Sequence, residues 1–263
     1  MLDESLFTEV DAKGTATLTL NRPALHNAFD DRLIADLIQE LHELRADPQV
    51  RLVVLAAAGK SFSAGADLNW MRCMAEYSWE QNMADAMALA DLMHTLNTLP
   101  KPTLAKVQGP AYGGGVGLVA CCDMAVAAET AVFSLSEVRL GLIPAVIGPY
   151  VVGAIGERRA RRYFLTGEPF DAREAHRIGL VHEVVAPEAL DTAVINLLEV
   201  MVGNGPAAMG AAKELIHTVS QGPVDSVMIE ETARRIANIR TSPEGREGLS
   251  AFLNKRKPNW RQD

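Results

Sequence analysis

The chain has 263 residues, 48% of them apolar and 22% charged, with a formal net charge of −8. These values exclude a disordered or collagen-like chain and leave room for one large domain, or one domain and an appendage. The acidity argues against gripping a nucleic-acid backbone, which takes a clustered basic face, and no apolar run reaches the roughly 18 residues of a membrane span.

The first residues, Met1-Leu2-Asp3-Glu4-Ser5, show neither a basic nor an apolar leader pattern. The three cysteines, Cys73 and the adjacent pair Cys121-Cys122, make no disulfide framework. Together these features predict a reducing, cytoplasmic setting. Residues 7–10 and 15–20 alternate as a strand pair around Lys13-Gly14, and Asn21-Arg22-Pro23 stops them. A helix is predicted over 30–46, with Leu33, Ile34, Leu37, Ile38, Leu41 and Leu44 on one face and Pro48 closing it. A buried strand over 52–56 follows, then a turn at Gly59-Lys60, a short extension at 61–63 and the loop Ala64-Gly65-Ala66-Asp67. That loop leads into a helix starting near Leu68.

Residues 78–99 read as a long helical segment ended by Pro100 and Pro102. A strand over 103–107 then runs into the glycine cluster Gly109-Pro110-Ala111-Tyr112-Gly113-Gly114-Gly115, a short helix reaching Cys121 and a strand at 124–127. Further strands are predicted at 132–134 and 181–185, with helices near 156–166 and 171–178. From Leu190 onward only helical patterns remain, interrupted at 203–206, 222–223 and 242–243. Short strands taken in pairs and followed by a helix predict an α/β chain of stacked strand–strand–helix units with a helical C-terminal appendage. The six histidines are scattered without metal-ligand spacing, so no metal site is expected.

A strand that turns through glycines into a helix start leaves amide N–H groups unpaired at the turn. Three readings compete. Gly115-Val116-Gly117-Leu118-Val119-Ala120 formally matches a dinucleotide fingerprint, but the helix is short and a strand intervenes before an acid, Glu137, at the expected distance. A second reading has the glycines serve only close packing of helix on sheet. The third is an oxyanion hole, because Ala64-Gly65-Ala66-Asp67 repeats the device after another buried strand, and two turns can converge two N–H groups on one oxygen.

A carbonyl polarised in that way needs an acid/base group beside it. Glu137 stands among apolar residues, where a carboxyl tends toward a raised pKa; its structural alternatives are an ion pair with Arg139 or a first-turn helix acid. Asp67 is expected to cap the helix at Leu68, and Asp123 to tie the end of the 121–122 helix to backbone. Tyr112 either lines the cavity or packs.

These pieces resemble the crotonase, or enoyl-CoA hydratase/isomerase, superfamily along nearly the whole chain. The matching segments are Asn21-Arg22-Pro23 with Asn27-Ala28, Phe62-Ser63-Ala64-Gly65-Ala66-Asp67-Leu68, Lys101-Pro102, the cluster from Gly109 to Gly115, Cys122-Asp123, Ser136-Glu137-Val138-Arg139-Leu140-Gly141-Leu142-Ile143-Pro144, and Ala175-His176-Arg177-Ile178-Gly179-Leu180-Val181. The resemblance implies a spiral core of strand–strand–helix units over 1–195 and a helical oligomerisation region over 196–263. It further implies a trimer or dimer of trimers, and an acyl-CoA thioester as substrate with no separate cofactor. The family's oxyanion donors fall on the N–H groups of Ala66 and Gly114, its acid/base on Glu137, and its CoA contacts on Ala64, Ala66, Asp67, Leu68 and Gly113. Phe252 and Lys255, beside the basic run Lys255-Arg256-Lys257, match positions that reach the CoA nucleotide, often of a neighbouring subunit; the plain alternative is a solvated helix end.

One departure stands out. Hydratases of the family usually carry a second glutamate two residues beyond the third glycine, where this chain has Gly117. The segment after Pro144 also lacks the glycine-rich run of many common hydratases. Together with Ala154-Ile155-Gly156-Glu157-Arg158 and Cys121-Cys122-Asp123, it is similar to the bacterial branch assigned to methylglutaconyl-CoA hydratase, with carboxygeranoyl-CoA hydratase closely related. Both substrates bear a second carboxylate, and Gly117 is read here as relieving like-charge repulsion with it. A single carboxylate equally suits a 3-enoyl to 2-enoyl-CoA isomerase. A non-catalytic CoA- or RNA-binding relative is the alternative of another class, opposed by Glu137 and by the negative charge.

Overall fold

The hairpin predicted around Gly14 forms in the computed structural model, which describes residues 5–220 and 222–261. Strands β1 (Leu6–Val10) and β2 (Thr15–Leu20) pair antiparallel, with Leu6 opposite Leu20. From β2 onward the sheet is parallel: β3 (Leu52–Ala57), β4 (Thr103–Val107), β6 (Met124–Ala128) and β9 (Glu183–Val185) complete the order β1-β2-β3-β4-β6-β9. Parallel neighbours need long crossovers, and helices supply them. α1 (Asp31–Ala46) lies between β2 and β3, α2 (Leu68–Glu76) and α3 (Trp79–Asn97) between β3 and β4, and α4 (Gly114–Cys121) between β4 and β6. A second sheet joins β5 (Ala111–Tyr112), β7 (Val132–Ser134) and β8 (Phe170–Asp171). The extension predicted at 61–63 makes one bridge to it, Ser63 with Ala111.

The apolar face of α1 buries Leu33, Ile34, Leu37, Leu41 and Leu44, while Ile38 flanks the core half-buried. The Asp30 carboxylate accepts the Leu33 N–H at 2.8 Å and so starts the helix. β3 is buried along its first five residues, as a parallel strand covered on both faces must be.

Two elements depart from the sequence reading. No element is predicted over 148–155, yet α5 (Gly148–Ile155) forms there, with Pro149 in the first turn, where no N–H is needed. The strand predicted at 181–185 shortens to β9, because the Leu180 N–H turns back to Ala175 O before His182 N–H reaches Ala125 O. After α6 (Glu157–Thr166) and α7 (Ala172–Ile178), α8 (Leu190–Val202) buries Leu190, Ala193, Val194 and Met201. The last three helices differ: α9 (Pro206–Val219) and α10 (Ser226–Thr241) bury no residue, and α11 (Pro243–Leu253) buries only Ala251. Among the described residues no helix is long and apolar enough to cross a membrane.

Candidate active site

The site begins with Asn27, a buried residue held in the left-handed region at φ 54°. Its side chain accepts the Arg22 N–H at 2.8 Å and donates to Ala58 O and Ser61 O at 2.9 and 2.8 Å. The Ser63 hydroxyl donates to Asn27 O at 2.8 Å. These bonds bring the start of the 63–67 turn against the chain leading to Phe29. Phe29 then makes a parallel bridge: its N–H donates to Gly65 O and its carbonyl accepts the Asp67 N–H, both at 2.7 Å. In such a ladder the residue between those two partners faces away from the bridging strand. That residue is Ala66, whose N–H is thereby aimed outward.

The second turn lies against the first. The Tyr112 N–H donates to Ser63 O at 2.9 Å, and a β-carbon on Gly65 would stand 3.0 Å from Tyr112 O. Gly113, at φ 49°, donates its N–H to Ser134 O at 2.9 Å and turns the chain into α4. Gly114 heads that helix, which has no side-chain cap. Among the described residues neither the Ala66 N–H nor the Gly114 N–H donates to a protein acceptor. Both donors are thus preorganised and open, and the N-terminal end of α4 favours negative charge beside them.

Each glycine of α4 answers to a different neighbour. A β-carbon at Gly114 would come within 2.7 Å of Phe29 Cε2, one at Gly115 within 2.9 Å of Ser63 O, and one at Gly117 within 2.3 Å of Ile147 Cγ2. Close packing thus bears on all three positions, and at Gly114 it is joined by an N–H that donates to no protein acceptor among the described residues. The dinucleotide reading fails, because α4 ends at Cys121 and Glu137 opens a 3-10 turn, Glu137–Leu140, after β7.

Glu137 is half-buried, with Oε1 3.1 Å from where a β-carbon on Gly113 would stand. Its Oε2 is buried without a hydrogen-bond partner. Burial raises its carboxyl above the ordinary glutamate value, and a bond from its own backbone N–H offsets part of that rise. The alternative ion pair with Arg139 does not form: the Arg139 side chain packs over Gly167 instead, Nε lying 3.2 Å from the β-position there.

Asp67 is buried and caps α2, accepting the N–H groups of Asn69 and Trp70 at 2.8 and 3.2 Å. Ala64 donates its N–H to His26 O at 2.9 Å, and Leu68 stands exposed at the head of α2. Phe252 and Lys255 are exposed on or just past α11, which packs on α9 and α10. Arg256 pairs with Glu247 at 2.6 Å. Asp123, just past the end of α4, ties that helix end to the backbone at the start of β4, accepting the Thr103 N–H at 2.7 Å, and pairs with Lys213 at 2.8 Å. Gly117 faces the apolar Ile147 and Met93, which fill the space beside it, so the position presents an apolar surface.

Sequence reasoning missed Phe29, Ile147 and Met93. Phe29 directly follows the Asn27-Ala28 motif, which was the available signal. Among the described residues no group of three or more His, Cys, Asp or Glu is placed to hold a metal ion. A cleft of about 1200 Å³ opens at the far end of α4, between α5 and α9, and no residue of either glycine turn lines it.

The family model described as enoyl-CoA hydratase/isomerase matches residues 11–263. The crystal structure of an enoyl-CoA hydratase from Shewanella pealeana superposes with a TM-score of 0.95 at 46% identity, covering 98% of this chain and 97% of that one. The 2,3-dehydroadipyl-CoA hydratase of Escherichia coli is 33% identical over 93% of this chain and 94% of its own length. The 1,2-epoxyphenylacetyl-CoA isomerase of the same organism is also 33% identical, over 94% and 95%.

Proposed function

Since the chain belongs to the enoyl-CoA hydratase/isomerase family, we propose that it adds water across the C2=C3 bond of a 2-enoyl-CoA with Glu137 as its one acid/base carboxylate. The observation that carries this reading is the buried, unpartnered Oε2 of Glu137 beside two open backbone donors. The thioester carbonyl accepts from the Ala66 and Gly114 N–H groups, which stabilise the enolate as negative charge builds on oxygen. Glu137 orients a water and takes its proton as the oxygen bonds to C3, then returns a proton to C2. Its raised pKa eases that exchange near neutrality. The chemistry asks for no cofactor beyond the CoA thioester itself.

The substrate tail is proposed to be branched and carboxylated, as in methylglutaconyl- or carboxygeranoyl-CoA; the name of the 2,3-dehydroadipyl-CoA hydratase among the relatives supports the second carboxylate of such a tail. A second reading, 3-enoyl to 2-enoyl-CoA isomerisation, is favoured by the single carboxylate, which suffices to carry one proton between C2 and C4. Residues 196–263 are proposed to assemble a trimer or dimer of trimers in the cytoplasm. Exposed Ile216, Val227, Ile229, Phe252 and Leu253 on helices with almost no core of their own support that assembly. Ala64, Asp67, Leu68 and Gly113 are proposed to border the CoA, and Phe252 and Lys255 to reach the nucleotide of a neighbouring copy.

The test is spectrophotometric. Loss of the conjugated enoyl-thioester absorbance on mixing with a 2-enoyl-CoA is expected, and must vanish in Glu137→Gln while CoA binding persists. Appearance of that absorbance from a 3-enoyl-CoA selects isomerisation. Full activity in Glu137→Gln removes Glu137 from the mechanism.

A further inference from the structure

One segment, residues 137–147, covers the glycine-bearing face of α4 and touches it at both ends. At its start Glu137 Oε1 lies 3.1 Å from the β-position of Gly113, and at its end Ile147 Cγ2 lies 2.3 Å from the β-position of Gly117. Residues 113 and 117 are one helical turn apart, joined by the Gly117 N–H to Gly113 O bond of 3.2 Å, so the two contacts are neighbours on one face. Between them the chain swings outward: Leu140, Leu142 and Ile143 are exposed, and nothing lies within 4 Å of the β-position of Gly141. Ile147 is buried, and Met93 Cε closes the same notch at 3.3 Å. On its other side the turn rests through Val138 and Arg139 on Gly167.

We infer that Ile147 is a positioning residue for Glu137: seated in the notch left by Gly117, it pins the segment to α4 and so holds the carboxylate over Gly113. The inference rests on the proposed role of Glu137. A bond from the Leu142 N–H to Glu137 O at 3.0 Å and one from the Gly148 N–H to Ala145 O at 3.1 Å stiffen the segment between pin and carboxylate. The two departures in the sequence, Gly117 and the missing glycine run after Pro144, are then a single steric exchange. The side chain that fills the notch comes from position 147 instead of 117, and it is apolar. The same exchange keeps a second carboxylate away from this face of α4.

Three variants test the pin: Ile147→Ala, Gly117→Ala and the two combined. Ile147→Ala is expected to lower kcat by about tenfold to a hundredfold, the scale of a misplacement near 1 Å, with KM for the thioester nearly unchanged. Water reaching Oε2 should move the acid limb of the kcat–pH profile to lower pH. Gly117→Ala drives Ile147 out and should act alike, and the double variant should recover kcat relative to Gly117→Ala alone. Titration of the Glu137 carboxyl by ¹³C NMR, assigned by difference from Glu137→Gln, reads the same shift without any turnover. If Ile147→Ala keeps the native kcat, acid limb and carboxyl titration, the pin is refuted, even where Gly117→Ala fails to fold. If the native enzyme turns over neither thioester, the function fails, while the carboxyl titration still decides the inference.

Discussion

Two helix N-termini meet at the site, and they are finished in opposite ways. α2 is closed by a side chain: the Asp67 carboxylate takes the N–H groups of Asn69 and Trp70, and the Ala66 N–H stays open just outside the cap. α4 has no such cap, and Gly113 turns the chain so that Gly114 presents its N–H directly. A capped end is anchored for stability, whereas an uncapped end keeps its dipole and donors for a ligand. Phe29 couples them, its backbone clamping the residues on either side of Ala66 and its ring pressing on Gly114. The shared ring makes the spacing of two donors from distant parts of the chain a matter of rigid core packing.

The largest expected effect lies at the uncapped end. Gly114→Ala places a methyl 2.7 Å from the ring of Phe29, which is 1% exposed and has nowhere to go. The donor must shift, and kcat should fall by about a hundredfold to a thousandfold, as for the loss of one oxyanion donor. Steady-state kinetics check this. At the capped end, Asp67→Ala loses a cap worth about 1 kcal/mol, seen as a lower midpoint in chemical unfolding. Even fully transmitted to the transition state, that energy costs less than about tenfold in kcat. An Asp67→Ala defect exceeding that of Gly114→Ala breaks the contrast between anchored and open ends.

Lys255 is exposed, so Lys255→Ala should raise KM for the CoA ester by about twofold to fivefold and leave kcat alone, the scale of an exposed charge contact. No change in KM removes it from CoA binding. The smallest effect is on stability. Glu137 has a folded pKa above its unfolded value, so the folded chain holds that proton more tightly and stability falls as pH rises through the window between the two values. Glu137→Gln should therefore raise Tm at pH 7, and by nothing once pH drops below the unfolded pKa. Calorimetry at the two pH values checks the sign, and equal shifts at both refute the buried charge.

Much of this was readable along the chain because it depends on local pattern. The apolar periodicity of α1, the strands at 15–20 and 103–107 and the two glycine turns all announce themselves within a dozen residues. Glu137 was legible as an acid among apolar neighbours. α5 was missed because Gly148, Pro149 and Gly153 look like breakers, and only packing of Val151 and Ile155 into the core overrides that local preference.

By itself, then, the sequence determined the α/β class and the order of units, which follow from short-range spacing, and it displayed the two glycine turns and an acid among apolar residues, while the resemblance supplied Ala66 and Gly114 as candidate donors. The tertiary structure alone decided which glycine presents an open amide, that Phe29 joins the two turns, and that Ile147 fills the notch at Gly117. Those facts hang on contacts between residues tens of positions apart, where a difference of one ångström, invisible in any local pattern, separates an open N–H from a buried one.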